Sequence, residues 1–125
     1  MTLAERELGD LYNALHARRL VLKEARKRKK LSGDELRAKA PIMGALGALI
    51  RRLDPYLQVE TVELLFDAGE RALISDTLSI VALAAAHAIF DGRLDPPPGW
   101  SKQRAVDSAA IYASGLLRLA ERFTP

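Results

Sequence analysis

The residues best able to do chemistry in this chain are cations crowded into residues 18–30, here called the basic segment. It holds eight Lys or Arg residues and one acid, Glu24, for a local charge of +7. The other 112 residues hold 11 basic and 15 acidic residues, so this segment is the source of the net charge of +3. A dense basic run on a slightly acidic body is typical of a polyanion-binding surface. The candidate contacts are Arg18, Arg19, Lys23, Arg26, Lys27, Arg28, Lys29 and Lys30.

Helical spacing would place five of these cations along one side, as a stripe about 18 Å long. The five are Arg19, Lys23, Arg26, Lys27 and Lys30. The segment contains no aromatic residue, so phosphates rather than stacked bases are the expected contacts. Two alternatives stay open: an acidic protein partner, and a solvated helix end whose cations complement the helix dipole.

Catalytic and metal-binding patterns are missing from the sequence, so we expect neither an enzyme nor a cofactor. His16 and His87 lie far apart, and neither has a Glu or His at helical metal-ligand spacing. With no cysteine, disulfides and thiolate metal sites are excluded. His87 is expected in the core, and His16 at the surface or on a phosphate. Asp76 is expected to cap a helix, although a site assembled with His87 stays open.

The elements that must position the basic segment are helices. A first helix is predicted over residues 3–30, because Leu8, Leu11, Leu15 and Leu22 recur on one stripe. Ser32, followed three residues later by Glu35, is a capping box that begins a second helix.

The second helix is expected to kink at Pro41, or to end before it and start again. Beyond the proline, Gly44 and Gly47 predict close helix packing. The alternative for this pair is a GxxG loop that clamps nucleic acid.

A third helical region is predicted over residues 58–90, divided near Gly69 or at Ser75 and Asp76, with its second half the most buried helix. Three consecutive prolines at 96–98 then require an extended connection, and Ser101 caps a last helix over residues 102–122. The prediction is an all-α fold, one domain over residues 1–125: a bundle of about five helices with a long basic N-terminal helix and a kink at Pro41.

Localisation is expected to be cytoplasmic, without a membrane role. No apolar leader follows Met1, and the uncharged run over residues 77–90 falls short of the roughly 20 residues that a bilayer requires. Arg outnumbers Lys, and Asn and Gln are scarce, which fits a thermophilic or GC-rich source.

Three short stretches carry a family resemblance: Thr2-Leu3-Ala4-Glu5-Arg6, Lys39-Ala40-Pro41-Ile42-Met43, and the closing residues 116–123. Together they resemble the small helical subunit of the Cmr complex, a type III-B CRISPR effector; other small helical CRISPR subunits, including the type III-A one, look alike. The resemblance implies a non-catalytic subunit in antiviral defence, whose partners are guide and target RNA and the other effector subunits. Copies of the chain would stack along that complex and line a basic groove for the RNA.

A protein of another class is the alternative function. In that case the chain is a helical interaction module, of phage type or regulatory, whose basic helix docks an acidic partner.

Overall fold

Four long α-helices and one small sheet form residues 1–124, the part of the chain that this computed structural model describes. In chain order the elements are β1 (Thr2–Ala4), α1 (Glu5–Lys27), α2 (Gly33–Leu53), a 3-10 turn (Asp54–Tyr56), β2 (Thr61–Glu63), α3 (Ala68–Phe90) and α4 (Lys102–Phe123). The mostly helical prediction is confirmed, with four helices in place of about five. The chain divides into two compact units, Met1–Phe66 and Asp67–Pro125, and the prediction of a single domain stays a prediction.

The first unit contains a sheet that the sequence reading missed. Strand β1 pairs antiparallel with β2, with Leu3 opposite Val62, and the amino group of Met1 donates to the carbonyl of Leu64 at 2.8 Å. The helix predicted from residue 3 therefore begins at Glu5, and the helix predicted from residue 58 is wrong over that stretch. The physical reason is pairing between segments about 60 residues apart, which no local pattern reveals.

Helices α1 and α2 form an antiparallel hairpin. The hydroxyl of Tyr12, near the start of α1, donates to Asp54 Oδ1 just beyond the end of α2, at 2.8 Å. The core of this unit consists of Leu8, Leu11, Ala14 and Leu15 from α1 with Met43, Leu46, Leu49, Ile50 and Leu53 from α2. The predicted leucine stripe is thus confirmed over the first half of α1, which fixes the side of α1 that faces α2.

The capping box at the start of α2 is confirmed. Ser32 Oγ accepts from the amide of Glu35 at 3.2 Å, and Glu35 Oε1 accepts from the amide of Ser32 at 3.3 Å. Helix α2 then continues through Pro41, so the predicted split before the proline is wrong. Pro41 lies on the exposed side of α2, where water can satisfy the carbonyl that its missing N–H leaves without a partner.

Helix α1 ends at Lys27, three residues before the predicted end. The amide of Lys29 donates to the carbonyl of Arg26 at 3.1 Å, and the amide of Lys30 to the carbonyl of Ala25 at 3.0 Å, a Schellman pair of bonds. Lys29 has a φ of 55°, the left-handed conformation that glycine usually supplies at this position. A lysine here costs about 1 kcal/mol relative to glycine.

We expect Lys29→Gly to raise the free energy of unfolding by about 0.5–1 kcal/mol, because glycine adopts this φ without a Cβ clash. Urea denaturation followed by far-UV circular dichroism measures it. Lys29→Ala is the matched control: it removes the same charge but keeps the Cβ, so stability should change by less than about 0.5 kcal/mol. Equal stabilisation by both variants would show that charge, not backbone conformation, is the cause.

The second unit is an antiparallel hairpin of α3 and α4. Arg71 Nη2 near the start of α3 donates to the carbonyl of Arg122 near the end of α4 at 3.0 Å, and the hydroxyls of Ser75 and Thr124 lie 3.4 Å apart. Its largest buried side chains are Ile74, Leu78, Leu116 and Phe123.

Asp67 caps the start of α3: its side chain accepts from the amide of Glu70 at 2.7 Å, and Glu70 Oε1 accepts from the amide of Asp67 at 3.0 Å. The start predicted at Ser75 and Asp76 is wrong, since both residues lie inside α3. An earlier capping box with reciprocal bonds outcompetes a site that offers a capping side chain alone.

The prediction that α3 is the most buried helix is also wrong. Its buried residues are Ile74, Thr77, Leu78 and Ala82, whereas Phe90 is 94% exposed. In its own unit α3 has one partner helix, and one partner covers one side of a helix that is apolar nearly all round. By length and composition α3 is the one helix within residues 1–124 that could cross a membrane, a test that core helices also pass.

The connection from α3 to α4 follows the predicted pattern. Gly92 ends α3 with a φ of 66°, and the amide of Trp100 donates to the carbonyl of Pro97 at 3.0 Å across a turn in which Gly99 has a φ of 85°. Ser101 Oγ accepts from the amide of Arg104 at 3.1 Å, which confirms the predicted cap of α4.

Candidate nucleic-acid interface

The eight predicted contact residues occupy two kinds of backbone. Five lie on α1, Arg28 is its C-terminal cap, and Lys29 and Lys30 lie in the turn that follows. Arg18 and Arg19 are half-buried near the packed side of α1, and the other six are exposed. The predicted helical stripe therefore holds from Arg19 to Lys27, and beyond that point the cations follow the turn.

Most of the positive charge in this segment has no acidic partner. Arg28 Nε lies 3.7 Å from Glu24 Oε2 in an exposed pair one turn apart, which stabilises the helix only slightly. Glu24 is the one acid of the segment, and Arg18 also has a partner. Within residues 1–124 no ion pair neutralises the remaining six, which are Arg19, Lys23, Arg26, Lys27, Lys29 and Lys30. The surface therefore carries a concentrated positive charge that attracts anions.

Helix α2 adds a cation that sequence reasoning missed, Arg51. A side-chain carbon built on Gly47 would lie 3.3 Å from Arg19 Nε and 3.4 Å from Arg51 Nη1. The two guanidinium groups thus converge on the bare backbone of a glycine. Arg51 follows Gly47 by one helical turn, a spacing that is visible in the sequence. Only the packing of α1 on α2 brings Arg19 to the same place.

The Nε atom of Arg19 is buried and has no hydrogen-bond acceptor within residues 1–124. Leaving a buried donor without an acceptor costs about 1–3 kcal/mol, and a second guanidinium nearby adds repulsion. An anion with several oxygens, bound at the outer N–H groups of the two guanidiniums, would offset the repulsion between them. The arrangement is suited to holding a phosphate between α1 and α2.

We expect Arg19→Met to raise the free energy of unfolding by about 1 kcal/mol, because methionine keeps the apolar stem and removes the unpaired donor. Lys23→Met is the matched control, the same loss of charge at an exposed site without a partner, and should change stability by less than about 0.5 kcal/mol. Urea denaturation compares the two. A clear loss of stability in Arg19→Met would mean that the guanidinium stabilises the unliganded protein.

Gly44 and Gly47 do not form a nucleic-acid clamp of the GxxG type. Both lie inside the continuous helix α2, so the loop alternative is wrong. A side-chain carbon on Gly44 would meet nothing within 4 Å, whereas Gly47 accommodates the Arg19 side chain. Of these two glycines, only Gly47 lets a side chain from α1 approach the backbone of α2 closely.

The residues considered for catalysis, His16, His87 and Asp76, form no site within either unit. His16 is exposed and packs in a T-shaped arrangement with the ring of Tyr12, with centroids 4.7 Å apart. His87 is exposed on α3, so its predicted core position is wrong, because α4 covers the other side of that helix. Asp76 lies about 16 Å from His87 along the helix axis. Among residues 1–124, no group of three His, Cys, Asp or Glu side chains could hold a metal ion.

A shallow depression at the other end of α1 has acidic character. Glu5, Arg6, Asp10, Asn13 and Glu60 line part of it. Burial raises the pKa of the Asp10 carboxyl, and the charge of Arg6 offsets part of that rise. With three acids to one base, this depression disfavours phosphate, so the basic character of the first unit is concentrated at the opposite end of α1.

We expect Asp10→Asn to raise the thermal midpoint at pH 7. A carboxyl whose pKa is raised in the folded state destabilises the fold above that pKa, and the effect vanishes below the unfolded value, near 3.8. The gain should therefore shrink as the pH falls through the acidic range. Thermal melts of both proteins from neutral to acid pH measure it. A difference in thermal midpoint between the two proteins that grows as the pH falls would contradict this explanation by burial.

No protein-family model, curated protein or solved structure matches this chain. What points to its function is therefore the chemistry of its own surface. The basic segment and Arg51 are the part of the described chain in which uncompensated charge and a buried, unpaired donor occur together.

Proposed function

We propose that this protein binds the phosphate backbone of RNA without catalysing a reaction, through the basic segment together with Arg51. The observation that carries the proposal is the set of six segment cations without an acidic partner, one of which shares its position over Gly47 with Arg51. Uncompensated cations along one helix attract a polyanion whose charges also lie in a row.

Backbone contact is favoured over base recognition. The basic segment has no aromatic side chain on which a base could stack, and it consists mainly of long, flexible cations. Such contacts hold a strand in place without reading its sequence. Binding should therefore depend strongly on salt and little on base composition.

We further propose that the chain acts as a subunit of a CRISPR RNA-guided effector complex in antiviral defence. Support comes from the resemblance of residues 2–6, 39–43 and 116–123 to the small helical subunits of such complexes. Its partners would then be guide and target RNA and the other effector subunits. The alternative, a module that docks an acidic protein, uses the same cations, so a direct comparison of ligands must separate the two.

The proposal predicts that Lys23→Ala/Lys27→Ala lowers affinity for a single-stranded RNA of about 20 nucleotides tenfold or more at low salt. Each lost phosphate contact should also reduce the slope of log affinity against log salt by about 0.7. Fluorescence anisotropy between about 50 and 200 mM salt measures both quantities.

Lys102→Ala/Arg118→Ala is the matched control, because it removes two exposed cations from α4 and lowers the net charge equally. Its affinity and salt slope should stay close to wild type. Equal losses in the two variants would mean that net charge, not this surface, determines binding. No RNA binding by the wild type, with binding to an acidic polypeptide, would favour the protein-docking alternative.

A further inference from the structure

Two guanidinium groups, those of Arg19 and Arg51, meet at one place on the first unit. Arg19 Nε and Arg51 Nη1 lie 3.3 Å and 3.4 Å from the point that a side-chain carbon on Gly47 would occupy. A carbon at that point would crowd Arg19, so the glycine is what leaves room for its guanidinium. Two positive charges therefore share one small area of surface, where a single anion with several oxygens can contact both.

The outer nitrogens of this arginine pair are free to bind a ligand. Arg19 Nε is buried, but the two terminal nitrogens of Arg19 are accessible and have no hydrogen-bond partner within residues 1–124. Arg51 is exposed and has no partner in that part of the chain either. Because burial of Nε restricts the Arg19 side chain, little rotational freedom remains to be lost when an anion binds.

The charge of the arginine pair indicates the kind of phosphate that suits it. Two neighbouring guanidiniums repel each other, and a bound anion offsets that repulsion in proportion to its own charge. An internal phosphate of RNA carries one negative charge. A phosphomonoester, such as a phosphate at the end of a strand, carries about 1.5–2 negative charges at neutral pH and offers three acceptor oxygens. The pair should therefore hold a phosphomonoester more tightly than an internal phosphate.

We propose that Arg19 and Arg51 form a binding site for a phosphomonoester, which the end of a strand supplies if the proposed RNA binding holds. In that case exposed lysines such as Lys23 and Lys27 contact internal phosphates, and the arginine pair fixes where the strand ends. A free small phosphate has the same chemistry, so the experiment has one arm without RNA and one arm with it.

Inorganic phosphate, in the low millimolar range, tests the site without RNA. It should raise the thermal midpoint of the full chain by a few degrees relative to sodium chloride of the same ionic strength, because a ligand of the folded state stabilises it. Arg51→Met should lose this difference, since methionine keeps the apolar stem and removes one guanidinium. Arg26→Met is the matched control, the same substitution at an exposed arginine two turns beyond Arg19, and should keep the difference.

Fluorescence anisotropy at low salt then identifies the source of the phosphate. A single-stranded RNA of about 10 nucleotides with an internal fluorophore is prepared with a phosphate at one end, at the other end, or at neither. The wild type should bind at least one phosphorylated form about tenfold more tightly than the unphosphorylated form. Arg51→Met should bind all three alike, whereas Arg26→Met should weaken all three by the same factor and keep the preference.

The outcomes separate this site from the proposed function. A wild type that phosphate does not stabilise, or an equal loss of stabilisation in both variants, would overturn the site; RNA binding that persisted would leave the proposed function standing. Stabilisation lost only in Arg51→Met supports the site. If no RNA then binds, or all three RNAs bind alike, the site belongs to a free small phosphate, and absence of RNA binding contradicts the proposed function alone.

Discussion

Antiparallel packing of helices in pairs holds each unit of this protein together: α1 on α2 in the first, and α3 on α4 in the second. A helix in such a pair buries one stripe and leaves the rest of its circumference to solvent. What covers that remainder differs between the units. The first adds the small sheet and exposes the cations of the basic segment, and the second exposes Leu83 and Phe90 together with charged residues of its own. Both exposed surfaces follow from this limit on how much a helix pair can bury.

In the first unit, local costs occur at two places along the hairpin. Over Gly47, Arg19 keeps a buried donor unpaired and Arg51 brings a like charge to it, and in the turn after α1, Lys29 adopts a left-handed backbone. Each feature lowers stability in the absence of a ligand. Departures of this kind are typical of binding surfaces, where affinity for a ligand offsets the loss in the free protein. This physical reason favours a role for these cations beyond solubility.

In the second unit, the same constraint leaves apolar side chains in contact with solvent. Leu83, Phe90 and Leu117 are 59%, 94% and 50% exposed, because each helix of the pair covers only one side of the other.

The sequence by itself determined the features whose signals are local. Ser32 with Glu35 and Ser101 marked helix starts, the leucine spacing gave the buried side of α1, and the prolines after Asp95 marked the break before α4. The crowding of cations into residues 18–30 was equally plain. Tertiary structure decided what depends on distant neighbours. Pairing of β1 with β2 shortened α1, and a single partner helix left α3 mostly exposed. The packing of α1 on α2 brought Arg51 next to Arg19. Each of these contacts joins segments that are distant in the sequence, and a periodic pattern of residues reports only on local structure.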